Sequence, residues 1–124
     1  MTGESILVVD DEEVMRDVMS TLLEAEGYRV TLASDGAEGL VLARKGSFDA
    51  AIVDVMLPEV SGLEVLEEIK KTDPELAVLM ITAFASVETA IQAMKKGAFD
   101  YVTKPFKHEE VLHLLRNGLN QRRL

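Results

Sequence analysis

Cysteine is missing from all 124 residues, which excludes disulfides and thiolate metal sites. Tryptophan is missing too, and aromatics make up 5% of the chain against 48% hydrophobic residues. The core is therefore expected to be aliphatic. Prolines number three, and no linker, internal repeat or low-complexity segment breaks the chain. No apolar run approaches the roughly 20 residues that a membrane-spanning helix needs. The opening Met1-Thr2-Gly3-Glu4-Ser5 has neither the basic start nor the apolar stretch of a signal peptide, so a cytoplasmic location without membrane contact is expected. Positive charge is also scarce: 13 Lys and Arg face 22 Asp and Glu, for a net charge of −9. That field repels nucleic acid, so no direct DNA contact is expected. The basic pair Arg122-Arg123 reads as a solvated helix end. A chain of this length fits one domain, which buries about two thirds of its unfolded surface without staples.

What is present is alternation. Short apolar runs at Ser5 to Val9, Arg29 to Ala33, Asp49 to Val53, Ala77 to Ile81 and Phe99 to Thr103 read as strands. Between and after them, helical spacing places Met15, Val18, Leu22 and Ala25 on a first helix. Ala37, Leu40 and Ala43 mark a second, and Leu63, Leu66 and Ile69 a third. Val87, Ala90, Ile91 and Met94 share a face of a fourth helix, and Val111, Leu112, Leu115 and Leu119 mark a fifth. Gly27 and Gly97 are expected to end helices, and Ser34 or Asp35 to cap the second. Strands apolar on both faces belong to a parallel sheet between helix layers. The predicted fold is a doubly wound α/β domain with five parallel strands.

The central stretch is Ala50-Ala51-Ile52-Val53-Asp54-Val55-Met56-Leu57-Pro58. An acid is costly to bury among aliphatic residues, so Asp54 is placed at the open end of its strand, where ligands bind in open α/β sheets. Parallel strands bring further polar groups to that edge: Asp10 and Asp11 from the first, Thr82 from the fourth and Lys104 from the fifth. Converging acids repel one another and call for a cation. Mg²⁺ suits oxygen ligands, and the Met56 backbone carbonyl could add one more. A carboxylate between Mg²⁺ and Lys104 is set up to attack phosphorus, with Thr82 able to hydrogen-bond the resulting phosphoryl oxygens.

The motifs Val8-Val9-Asp10-Asp11-Glu12, Val53-Asp54 with Leu57-Pro58 and Ser61-Gly62, Ile81-Thr82-Ala83, and Gly97-Ala98-Phe99-Asp100-Tyr101-Val102-Thr103-Lys104-Pro105-Phe106 together resemble the receiver domain of two-component response regulators. The likeness covers essentially the whole chain, 1–124. It implies the CheY-like, flavodoxin-like strand order 2-1-3-4-5. It implies a regulatory domain rather than an enzyme, phosphorylated by a sensor histidine kinase. By that resemblance Asp54 is the phosphoacceptor, Asp11 ligates Mg²⁺ directly, Asp10 does so through water, and Met56 supplies its carbonyl. Thr82, Ala83 and Lys104 bind the phosphoryl group, Thr82 and Tyr101 switch together, and the Lys104-Pro105 bond is cis. The run from Ile81 to Ala90 with Gly97 to Tyr101 is similar to receivers of NtrC-like transcription activators. This implies that the chain is the N-terminal regulatory part of a longer protein with ATPase and DNA-binding domains. Signalling would then work through receiver dimerisation, with Val87, Ile91, Met94 and Phe99 contributing, and with a reporting surface of fourth helix, fifth strand and fifth helix. Leu119 to Leu124 reads as the start of a linker helix. A stand-alone regulator acting by protein binding is the alternative. A haloacid-dehalogenase-type phosphatase is disfavoured because it needs an acid where Met56 stands. A flavodoxin-like FMN carrier lacks its Gly/Ser/Thr-rich phosphate loop after the first strand.

Overall fold

The computed structural model describes residues 3–123, with side-chain surroundings for 3–121. The side chains of Arg122 and Arg123, and Leu124, lie outside the described residues. So does the expectation of a basic helix end there. Five strands, β1 (Ser5–Val9), β2 (Arg29–Ala33), β3 (Ala50–Asp54), β4 (Ala77–Thr82) and β5 (Asp100–Thr103), alternate with five helices. The helices are α1 (Glu13–Ala25), α2 (Gly36–Lys45), α3 (Gly62–Thr72), α4 (Val87–Lys95) and α5 (His108–Arg123). All strand pairs are parallel, in the order β2-β1-β3-β4-β5, as expected.

Strand alternation sorts the core into two layers. Leu7, Val9, Ala51, Val53, Val78 and Met80 pack under α2, α3 and α4 through Leu40, Val65, Leu66, Ile69 and Ala93. Ile6, Val8, Ala50, Ile52, Leu79 and Ile81 pack under α1 and α5 through Met19, Leu23, Val111, Leu115 and Leu119. All five residues of β3 are buried, as a central strand covered on both faces requires. Full burial of Val65, Leu66 or Ile69 on α3 contributes on the order of 1.5–3 kcal/mol each.

The local signals act as chemistry dictates. Asp35 caps α2 by accepting from the Glu38 amide at 2.7 Å. Ser61 and Glu64 form a capping box on α3. Gly27 (φ 91°) and Gly97 (φ 103°) turn the chain out of α1 and α4 in the left-handed region, which glycine enters without steric cost. Two helix faces differ from expectation. On α1 the buried stripe is Met19 and Leu23, with Met15, Val18 and Leu22 partly covered and Ala25 exposed. A stripe of Met15, Met19 and Leu23 fits the 3.6-residue period as well, and packing against Tyr28 and Ile6 selects it. On α4 only Ala93 is buried, while Val87, Ile91 and Met94 face outward. The small residue lets the helix approach the sheet and leaves the large ones in solvent.

Candidate functional site

The strand order reverses between β1 and β3, the point at which an open α/β sheet forms a crevice. Val9 pairs with Val53, so Asp10 and Asp54 emerge side by side at the carboxyl ends of their strands. Both are buried, with Asp10 at 0% and Asp54 at 4% exposure. Lys104, just past β5, reaches back across the sheet edge. Its Nζ donates to Asp54 Oδ2 at 2.9 Å, Asp10 Oδ2 at 3.1 Å and Glu12 Oε1 at 3.1 Å. The Lys104-Pro105 peptide is cis, and the Lys104 amide donates to the Thr82 carbonyl at 2.8 Å.

The second oxygen of each buried acid is held by backbone. Asp54 Oδ1 accepts from the Met56 amide at 2.9 Å, and Asp10 Oδ1 from the Glu12 amide at 3.0 Å. Arg16 on α1 donates to the Asp10 carbonyl at 2.8 Å, which fixes the β1–α1 turn. Burial pushes the Asp10 carboxyl above its ordinary range, against the pull of the Glu12 amide and Lys104. Burial pulls the Lys104 ammonium down, and its hydrogen bonds to Asp54, Asp10 and Glu12 outweigh that and hold it above its ordinary value. One ammonium thus serves three carboxylates.

Above these groups opens a pocket of about 310 Å³ lined by Asp11, Glu12, Asp54, Met56, Ala83, Phe84 and Lys104. Oxygens of Asp10, Glu12 and Asp54 lie within 4.8 Å of one another, a donor set of hard carboxylates that suits Mg²⁺. Asp11 lines the same pocket but stands outside that trio. Glu12, which carried no assigned role, completes the trio, with Asp11 beside it in the pocket lining. Its signal was its spacing, two residues past Asp10, and its cause is Lys104, which draws the exposed carboxylate inward. Thr82 is fully buried, its Oγ1 accepting from the Phe84 amide at 3.1 Å. It does not line the pocket. Tyr101 stands apart, half-buried in the α2–α4 layer, its hydroxyl 3.4 Å from Thr89 Oγ1. The structure therefore gathers Asp11, Asp54, Met56, Ala83 and Lys104 around one opening, with buried Asp10 beneath it on Lys104, and leaves Thr82 and Tyr101 outside the lining.

A CheY-like, doubly wound domain with an acid pair and a lysine at its switch point is a defined class, and comparison with known proteins agrees with it. Residues 6–116 match the family model of the response regulator receiver domain. The chain is 46% identical over 116 residues to YkoG of Bacillus subtilis, an uncharacterized transcriptional regulatory protein. That match takes in 94% of this chain and 51% of YkoG. It is 40% identical over 126 residues to the transcriptional regulatory protein ZraR of Klebsiella oxytoca, covering 100% of this chain and 28% of ZraR. Among solved structures, a CheY-like receiver domain protein from Methanospirillum hungatei superposes with a TM-score of 0.95 at 32% identity, over 98% of this chain and 97% of that one. NtrX from Brucella abortus superposes with a TM-score of 0.91 at 34% identity, over 98% and 28% respectively.

The chain belongs to the response regulator receiver domain family, the regulatory domains of two-component signalling. It spans about half, or less, of the length of the curated relatives named above.

Proposed function

We propose that Asp54 accepts a phosphoryl group from a sensor histidine kinase and that the rest of the domain reads its presence. The observation that carries this reading is the pair of contacts on Asp54. One oxygen is tied to the Met56 amide and the other to Lys104, at the mouth of a pocket open to solvent. A carboxylate oxygen of Asp54 attacks phosphorus, the phosphorus–nitrogen bond to the donor imidazole breaks, and that imidazole leaves as the neutral ring once protonated. Lys104 counters the charge on the phosphoryl oxygens, and Ala83 lies where its amide can meet them. Asp10, Asp54, Asp11 or Glu12, and the Met56 carbonyl are the groups that would hold Mg²⁺. When bound, the ion supplies charge neutralisation for phosphoryl transfer.

Phosphorylation adds about −1.5 to −2 charge and three acceptor oxygens. Thr82 is drawn toward them and Tyr101 follows, a population shift between two packings. The output is regulatory rather than catalytic. Similarity to NtrX and ZraR over a fraction of their length supports a place as the N-terminal receiver of an NtrC-like activator, ahead of ATPase and DNA-binding domains. Outward-facing Val87, Ile91 and Met94 support dimerisation through α4. Phe99 does not join them, since its ring packs at Gly118. A stand-alone regulator is the second reading, supported by a match that covers 97% of the solved chain of the Methanospirillum receiver domain protein. No helix among the described residues is long and apolar enough to cross a membrane, which fits a cytoplasmic regulator.

Acetyl phosphate with Mg²⁺, followed by intact-mass measurement, tests the assignment. One added phosphoryl group on the wild type and none on Asp54→Asn is the expected result. An adduct that survives in Asp54→Asn refutes it, and so does a wild type that takes up none.

A further inference from the structure

Tyr101 and Thr82 point to the same face of the sheet. Register pairs Tyr101 with Met80 and Thr82 with Thr103 on adjacent strands, and Met80 lies in the layer under α2, α3 and α4. Both therefore sit beneath the loop that leads into α4. That loop is tied at each end. At its start the Phe84 amide donates to Thr82 Oγ1 at 3.1 Å. At its end Ser86 and Thr89 form a reciprocal cap on α4. The Thr89 amide donates to Ser86 Oγ at 3.1 Å, the Ser86 amide donates to Thr89 Oγ1 at 3.2 Å, and the two hydroxyls lie 2.6 Å apart. Thr89 Oγ1 is also the atom that meets the Tyr101 hydroxyl at 3.4 Å. One short segment thus joins the hydroxyl behind the phosphoacceptor to the ring on β5.

We infer that Thr89 is a positioning residue that holds Tyr101 in its present orientation, so that release of Tyr101 is coupled to movement of the α4 cap. This rests on the reading of Asp54 and Thr82 given above. If Thr82 moves toward a phosphoryl group on Asp54, the Phe84 amide must follow it or lose its acceptor. Either displaces residues 83–86, and the shared cap carries that displacement to Thr89. Tyr101 then loses its partner and is free to turn away from Thr89. Thr89 sets how much that turn costs, and with it how readily the phosphorylated state forms. A single net hydrogen bond of this kind corresponds to a population change of roughly two- to tenfold.

Thr89→Val keeps the shape and removes the hydroxyl, Thr89→Ser keeps the hydroxyl, and Tyr101→Phe removes the partner. Side-chain torsion populations of Tyr101 are read by NMR couplings in the ligand-free protein, and affinity for beryllofluoride with Mg²⁺ is read in parallel. Thr89→Val is expected to raise the population of Tyr101 turned away from Thr89 and tighten beryllofluoride binding by roughly two- to tenfold, with Thr89→Ser close to wild type. Combined with Tyr101→Phe it should tighten binding by less than the sum of the two single changes, because both delete the Thr89–Tyr101 contact while only Thr89→Val also removes the contacts to Ser86. A cap-only role for Thr89 would lower the melting temperature of Thr89→Val, leave the Tyr101 torsion unmoved and combine additively with Tyr101→Phe. Either of the last two results overturns the inference. A wild type that binds no beryllofluoride would sink the phosphoacceptor reading instead, while the torsion of Tyr101 in free Thr89→Val still decides the role of Thr89.

Discussion

Gly62 opens α3 directly behind Asp54, and replacing it by alanine is the most demanding test of how the site is built. A Cβ at this position would collide with the Asp54 carbonyl oxygen and lie 2.7 Å from both the Asp54 carbonyl carbon and Val55 Cα. All three obstacles are backbone, so no side chain can swing aside. The collision also opposes the hydrogen bond from the Gly62 amide to the Val55 carbonyl at 2.9 Å. Overpacking of this kind costs about 3 kcal/mol, the upper end of the usual range, because the strand end or the helix must move as a unit. A chain of 124 residues melts with an entropy of roughly 0.26 kcal/mol per kelvin, so Gly62→Ala should melt about 12 °C below wild type. The displaced Asp54 should also shift against Lys104, slowing uptake of phosphoryl from acetyl phosphate at temperatures where the variant is folded. Calorimetry and intact-mass kinetics measure the two effects. A variant melting within about 2 °C of wild type would refute the steric account. One that is destabilised yet phosphorylated at the wild-type rate would refute the claim that α3 sets the position of Asp54.

Two further changes probe the charge balance and the loop. Lys104→Met leaves buried Asp10 and Asp54 without their ammonium, a loss of about 3 kcal/mol or more. Its melting temperature should fall by about 12 °C without divalent ions and recover more on adding Mg²⁺ than wild type gains, and an equal response to Mg²⁺ in both would refute the carboxylate donor set. Glu59 sits at φ 63° after Pro58, a conformation that costs a non-glycine residue about 1 kcal/mol or more. Glu59→Gly should therefore melt above Glu59→Ala by about 2 °C despite its larger unfolded-state entropy, and the reverse order would show that the loop carries no such strain.

The fold was legible because its signals are local and repeated. Buried parallel strands such as Ala50–Asp54 need β-branched or small apolar residues throughout, and each ends where a polar residue would otherwise be trapped. The site followed from the same rule, since Asp10, Asp54 and Lys104 are the residues at those ends. What stayed hidden depends on distances across the fold. Periodicity fits α1 with either Met15, Val18 and Leu22 or Met15, Met19 and Leu23 as its inner stripe, and only Tyr28 and β1 decide between them. The outward turn of Val87, Ile91 and Met94 depends on Ala93 seating α4 close to the sheet. Glu12 looks like one more acid in a helix start until Lys104 is placed beside it. Thr89, an ordinary residue in a helix cap, acquires a role only once β5 brings Tyr101 beneath it.

The contact between Lys104 and Asp10 spans 94 residues of sequence, so the first strand and the end of the last meet only in the pocket. Until residue 104 is in place, Asp10 and Asp54 lack the ammonium that bridges them. The charge balance of the pocket is thus a property of the whole fold, closed by the segment that follows its last strand.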